Sequence, residues 1–312
     1  MQNGLRNQLL IFALLFVSVA KAELGYYEDT LPNLVASPAA FRTRDVFFLP
    51  EEGGFLSSTE LSFDFKNSAF SDANKTTSKE LSASVFETLN YALRDNFLLG
   101  GGFGFLSGRT EDMQASGKET FSLSGMKDPL LSLLYRAVDQ KEAPYFLDLQ
   151  ILFNPSVGQS LYSNALRGGH KLEGVLSCGQ VLWNFEYKFS FFGIYYALAK
   201  VQDGDVIVNQ NPSYAFGAST LIQYDFDRDF SMNIGFGLSV PRKVQNQNDL
   251  DYEKPLYAFA FDVGPSYQFS DFFSSSLKFK ASYEQGDMRR SPNIYKYTTT
   301  SYGLMANLNY AF

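Results

Sequence analysis

Apolar and polar residues trade places at every second position along most of this chain. The last stretch, YGLMANLNYAF, sets Tyr302, Leu304, Ala306, Leu308, Tyr310 and Phe312 against Ser301, Gly303, Met305, Asn307, Asn309 and Ala311. A period of two places the two sets on opposite faces of one β-strand. The same alternation runs through 55–66, where Leu61, Phe63 and Phe65 oppose Glu60, Ser62, Asp64 and Lys66, and through 97–106, where Phe97, Leu99, Phe103 and Phe105 oppose three glycines. It returns at 145–154, 212–226, 230–238 and 256–269, and less regularly at 81–92, 130–136, 172–182, 189–200 and 272–284. The pattern predicts an all-β protein with about twelve antiparallel strands. Hydrophobic residues make up 45% of the chain and aromatics 16%, with 31 Phe and 19 Tyr, which suits strands that turn one face to an apolar surrounding.

The connections alternate in length. Short ones fall at 94–96, 139–144, 184–188, 227–229 and 270–271. Long polar ones fall at 67–80, 108–127, 155–169, 201–211, 241–255 and 285–296. Short turns on one rim and long loops on the other predict a transmembrane β-barrel, whereas a soluble sandwich mixes the two. Aromatics flank the short turns, among them Tyr91, Phe97, Tyr135, Trp183, Phe230, Tyr267 and Phe312, as in a girdle at the lipid–water boundary. Two residues resist the pattern. Glu87 falls on the apolar side of its strand, which calls for a bulge or a place near the rim. Pro265 lies inside a strand without an N–H to give.

The N-terminus reads MQNGLRNQLLIFALLFVSVAKAE. Arg6, an apolar run from Leu9 to Ala20 and Ala20-Lys21-Ala22 form a secretory signal peptide over residues 1–22 with cleavage after Ala22. Loss of Arg6 and Lys21 moves the formal charge from −7 to −9, and an acidic exported chain is a poor nucleic-acid binder. Cys178 is the sole cysteine, so folding proceeds without an internal disulfide. Residues 23–44 have no period of two and carry prolines at 32 and 38. The segment 23–50 is therefore read either as a periplasmic tail or as a plug folded into the lumen, ahead of a barrel over 51–312.

These features together resemble Gram-negative outer-membrane β-barrel proteins. Their final strand carries alternating aromatics and a terminal Phe, matched here by Tyr302, Leu304, Leu308, Tyr310 and Phe312. The resemblance implies that these residues are read by the barrel-assembly machinery, and that the other partners are outer-membrane lipid and lipopolysaccharide. A further stretch, GMKDPLLSLLYRAVDQKEAPYFLDLQILFNP at 125–155, is similar to a hairpin of the meta-pathway phenol-degradation-like outer-membrane transporters, through Gly125, Asp128, Tyr135, Arg136 and Pro155. That likeness implies uptake of small compounds, apolar or aromatic, and brings no catalytic residues.

The chemistry-bearing inventory is sparse. The one histidine, His170, shares a loop with Ser163 and Glu173, and spacing within a loop is no triad. One His and one Cys do not make a zinc site, and Asp203 with Asp205 lacks the rest of a calcium loop. No enzyme activity, metal or cofactor is expected. The residues expected to matter point inward as a lumen lining: Glu60, Asp64, Lys66, Arg136, Asp148, Gln150, Gln223, Asp225, Asp262, Lys278, Lys280, Asn307 and Asn309. Gly100, Gly102 and Gly104 leave one lumen wall bare for a plug or a solute. The reading is a porin-like outer-membrane channel for passive passage of small solutes, its mouth constricted by the loops at 108–127 and 241–255. The alternative is a closed barrel with a structural, adhesive or surface-recognition role through its loops.

Overall fold

The computed structural model describes residues 43–71, 76–114, 117–139, 143–158, 160–161, 166–203, 206–247, 251–290 and 293–312. The expected signal peptide (1–22) and residues 23–42 lie outside them. Twelve strands form the wall: β1 (Phe55–Phe70), β2 (Thr77–Arg94), β3 (Phe97–Gln114), β4 (Leu130–Val138), β5 (Phe146–Asn154), β6 (Lys171–Leu182), β7 (Phe185–Tyr196), β8 (Ser213–Asp225), β9 (Phe230–Val240), β10 (Tyr252–Ser270), β11 (Phe273–Arg290) and β12 (Asn293–Ala311). Each pairs antiparallel with its chain neighbours, and β12 returns to β1 from Leu56↔Ala311 to Phe70↔Tyr297, so the sheet closes. Closure removes the free edge whose unpaired N–H and C=O groups lipid cannot solvate. Among the described residues no helix is long and apolar enough to cross a membrane.

Register assigns the two faces. Leu61, Phe63 and Phe65 sit level with Val85, Ala83 and Leu81 on β2 and with Ala306, Leu304 and Tyr302 on β12. This parity continues round the ring through Phe103, Ile151, Leu176, Phe191, Phe216, Phe236, Phe259 and Phe279, all exposed on the outer wall. The opposite parity is the lumen face. The wall is uneven in height: β4 and β5 have 9 residues each, near the span of a tilted strand, whereas β10 and β12 have 19.

Three expected long loops prove to be mostly ladder. Strand β1 runs to Phe70 and β2 starts at Thr77; Gly117–Met126 pairs back onto the outer half of β3; β11 and β12 pair out to Arg290↔Asn293. Above the membrane both faces meet water, so the apolar alternation stops while backbone pairing continues. The expected turn at 184–188 shrinks to Trp183 and Asn184, with Trp183 in the left-handed region at φ 53°. Glu186 and Lys188 then fall on the lumen parity of β7, between outward Phe185, Tyr187 and Phe189. Pro265 keeps its place opposite Met232 on β9, but Gly264 and Pro265 have no partner on β11. The missing proline N–H opens the ladder at that point.

Glu87 is not bulged. It lies opposite Thr59 and Phe103 in unbroken register on the outer face, and the irregularity in β2 comes later, between Ala92 and Arg94. Hydroxyls from β1 stabilise it: Ser57 donates to Oε1 at 2.6 Å and Thr59 donates to Oε2.

Candidate functional site: the lumen and its floor

The end of the lumen at which the chain enters β1 holds Thr43–Phe47, the segment that precedes β1. Arg136 on β4 forms a bidentate pair with Asp148 on β5, Nε to Oδ1 at 2.9 Å and Nη2 to Oδ2 at 3.2 Å, with both side chains buried. The same Nη2 donates to the Phe47 carbonyl at 2.9 Å. The Phe47 ring is fully buried and stacks on Phe146 at 4.5 Å, with the Arg136 guanidinium 4.6 Å above Phe146 and the Lys188 ammonium 5.8 Å from the Phe47 ring. Gly179 on β6 makes the slot: a Cβ there would stand 2.5 Å from Phe47 Cζ. Burial without this exchange of hydrogen bonds would be unfavourable for an arginine and a carboxylate alike.

Arg44 ties the segment to the other side. Its backbone N–H donates to Gln268 Oε1 at 3.2 Å, and its Nη2 reaches the Asp227 carbonyl at 3.2 Å and Asp225 Oδ2 at 3.3 Å. The Val46 N–H donates to Glu186 Oε2 at 2.8 Å, and Gln268 Nε2 donates to Thr43 Oγ1 at 2.9 Å. Carboxylate oxygens of Asp45, Glu186 and Asp225 gather within 4.8 Å, with the Gln223 amide donating to Glu186 at 3.4 Å and to Asp225 at 3.1 Å. This is the one group of acids whose oxygens could share a hard cation among the described residues, and Arg44 already supplies positive charge beside it.

Above the segment is a polar chamber of about 310 Å³, floored by Arg44 and Val46 and walled by Gln223, Asn233, Lys278, Asn307, Asn309 and several serines. All thirteen residues expected to line the lumen fall on the inward parity. The structure joins Arg136 to Asp148, Asp262 to Lys278 at 3.3 Å, Gln223 to Asp225, Asn307 to Ser276 and Asn309 to Ser58. Glu60, Asp64, Lys66, Gln150 and Lys280 share the face; Asp64 packs beside Gly303.

The inner wall has two characters. From β9 through β12 to β1 it is polar. From β2 to β8 it is mixed: Phe86, Leu98, Leu106, Leu134, Leu152, Val175, Phe192 and Leu221 share the inward parity with Arg136, Asp148, Glu186, Gln223 and other polar groups. The glycine strip is not bare: Phe86 lies against Gly102 and Gly104, where a Cβ would overlap its ring, and Asn90 covers Gly100. The Lys127 ammonium sits 5.7 Å from the Phe86 centroid and donates to Ser84 Oγ at 3.2 Å. Sequence reasoning missed these inward apolar residues because inward leucines among outward ones blur the alternation. It also missed Phe47 and Glu186, whose only signals were an aromatic in an aperiodic segment and an acid beside a turn.

A larger cavity of about 640 Å³ runs along β7 to β12, bounded by Phe189, Phe236, Phe259, Phe261, Tyr283 and Tyr302 and by the small Ser219, Gly237, Ala260 and Ser282. The residues expected to signal assembly, Tyr302, Leu304, Leu308, Tyr310 and Phe312, are exposed along the outer face of β12, and Phe312 exchanges backbone hydrogen bonds with Phe55 at 2.6 and 3.0 Å. His170 accepts the Ser156 N–H at Nδ1 (3.0 Å) and stacks on Phe153, while Glu173 is held by Lys171 at 2.7 Å; Ser163 lies outside the described residues. The side chains of Asp203 and Asp205 do too.

No protein-family model matches this chain, and no curated protein does. Among solved structures it is similar to the COG4313 outer membrane channel from Pseudomonas putida F1, at 14% identity and TM-score 0.59, over 88% of this chain and 99% of that one. Looser likenesses are the transport unit of the autotransporter AIDA-I from Escherichia coli (10% identity, TM-score 0.47, 84% and 94% covered) and a Pseudomonas aeruginosa FadL homologue (7%, 0.45, 82% and 90%). The fold class is that of outer-membrane β-barrels: a closed, twelve-stranded antiparallel barrel.

Proposed function

We propose that this protein is a passive outer-membrane channel for small solutes, with Thr43–Phe47 as its periplasmic gate. The observation that carries the reading is the two-sided lumen. The side from β9 to β1 is polar, the side from β2 to β8 mixes polar groups with inward Phe and Leu, and the polar chamber ends on a short segment held by side-chain contacts rather than by the barrel ladder. Such a lining suits solutes that have an apolar body and at least one polar group, aromatic compounds included. The P. putida protein, described as an outer membrane channel, is in keeping with this. The thirteen polar lumen residues would set what fits, and the chain would act without enzyme chemistry, since its histidine is committed to backbone and ring contacts.

On this reading residues 1–22 are removed on export, 23–50 form a periplasmic lead and plug, and β12 is the strand recognised by the assembly machinery in a lipopolysaccharide-bearing membrane. Planar-bilayer recording of the refolded chain from Glu23 tests the function. Discrete conductance steps that grow in number when residues 23–49 are deleted are the expected result. A folded barrel that stays silent after the deletion would favour the second reading, a closed barrel acting through its loops, which the tight packing around Phe47 makes the natural alternative.

A further inference from the structure

Two arginines at the extracellular mouth make no salt bridge among the described residues. Tyr196 closes β7 on the lumen parity, above Phe192 and Ile194. The Arg242 guanidinium, just past the end of β9, lies 4.5 Å from the Tyr196 ring centroid, and that of Arg167, just before β6, lies 5.9 Å from it. The two guanidinium carbons are thus within about 10 Å of each other. Among the described residues neither makes a salt bridge, and Arg167 Nη1 is buried without a hydrogen-bond partner. Two acids beside Arg167 are engaged by other groups. Glu173 holds Lys171 at 2.7 Å, and Asp128 accepts backbone N–H groups, from Arg167 at 2.8 Å and from Val157 at 3.4 Å. Asp128 therefore positions the Arg167 backbone without neutralising its side chain.

Burial pushes the Arg242 guanidinium below its ordinary value, and the Arg167 charge adds to that. A buried donor left unpaired, beside a second cation of like charge, is an unfavourable arrangement that an incoming anion relieves. Guanidinium forks match the two oxygens of a carboxylate, and stacking on an aromatic ring holds them in place.

We infer that Arg167 and Arg242, held by Tyr196, form a carboxylate-binding site at the mouth of the lumen. Its ligand is a small monocarboxylate whose apolar body lies on the inward Ile194 and Phe192 below, with Ala215 and Val175 at the same levels on the neighbouring strands. The Ile194 and Phe192 side chains favour such an acid over an inorganic oxyanion or a lipid phosphate, and Glu173, level with Ile194, is neutralised by Lys171. That this ligand is also the solute carried rests on the channel reading above; the binding site itself does not.

The test uses the full chain, purified from membranes in detergent, with calorimetric titration of benzoate, benzyl alcohol and inorganic phosphate. Benzoate is expected to bind at least about tenfold more tightly than either of the others. Arg167→Gln and Arg242→Gln should each weaken benzoate by about tenfold and leave benzyl alcohol unchanged. Arg242→Lys, which keeps the charge and loses the fork, should fall between. Heat-shifted gel mobility verifies the fold of each variant. Equal binding of benzoate and benzyl alcohol, phosphate binding as tight as benzoate, or glutamine variants that bind like the parent would each overturn the site. Arginine-dependent benzoate binding without benzoate uptake by proteoliposomes would uphold the site and remove the channel reading.

Discussion

Phe47→Ala isolates the gate from the wall. The ring is fully buried, stacks on Phe146 at 4.5 Å and fills the slot that Gly179 leaves open. Truncating such a phenylalanine costs about 3–5 kcal/mol when the site cannot collapse, and a slot between paired strands has little freedom to do so. The lower figure shifts the ratio of docked to released segment by on the order of 100-fold. The backbone carbonyl that Arg136 contacts is untouched, and no wall strand loses a pairing partner. The barrel should therefore keep its heat-shifted mobility while the frequency of conducting events in planar bilayers rises by about two orders of magnitude. An opening frequency within about threefold of the parent would refute the reasoning, because the ring would then contribute almost nothing to holding the lumen closed.

Asp148→Ala leaves Arg136 buried without its bidentate partner and should lower stability by about 3–5 kcal/mol, read as an earlier thermal transition in the gel-shift assay; Arg136→Met added to it should restore most of the loss. A lipid-soluble carbodiimide should label Glu87 at least about tenfold faster than Glu60 or Asp64, since only Glu87 faces the bilayer, and the reverse order would place the β1–β2 register one residue off. Deleting Phe312 removes both backbone hydrogen bonds to Phe55 and the ring contact at 5.3 Å, so the refolded fraction should fall by the equivalent of about 2 kcal/mol at the closing seam. Refolding yields equal to the parent would show that the seam closes without it.

The barrel was readable because lipid imposes one rule on every strand: alternate, or leave the hydrocarbon. Phe63, Phe103 and Leu304 obey it plainly. Where strands rise into water the rule lapses, which is why 67–80, 108–127 and 285–296 read as loops although they largely pair. Glu186 and Lys188 alternate correctly with Phe185 and Tyr187, but two charges beside a tight turn read as turn. Glu87 was visible as an anomaly, yet its hydroxyl partners lie on another strand, and only register brings Ser57 and Thr59 to it. Thr43–Phe47 has no period at all. Its placement is written in the cavities and charges of strands distant in sequence, such as Gly179 and Asp148. Arg167 and Arg242 likewise meet only through Tyr196.

The gate segment comes before every wall strand in the chain, yet its partners are all made later. The acceptor for the Arg44 N–H, Gln268, is 224 residues downstream. Capture of the segment is therefore an intramolecular binding step that awaits a finished receptor. The tether from Phe47 to the start of β1 at Phe55 is short, so the effective concentration of the stopper at its socket is high, in the millimolar range for a short link, as soon as the socket exists. On the gate proposed above, a defect that delays the last strands would leave the socket unfinished and the segment undocked, while a defect in the segment alone would leave a well-folded barrel that never seals.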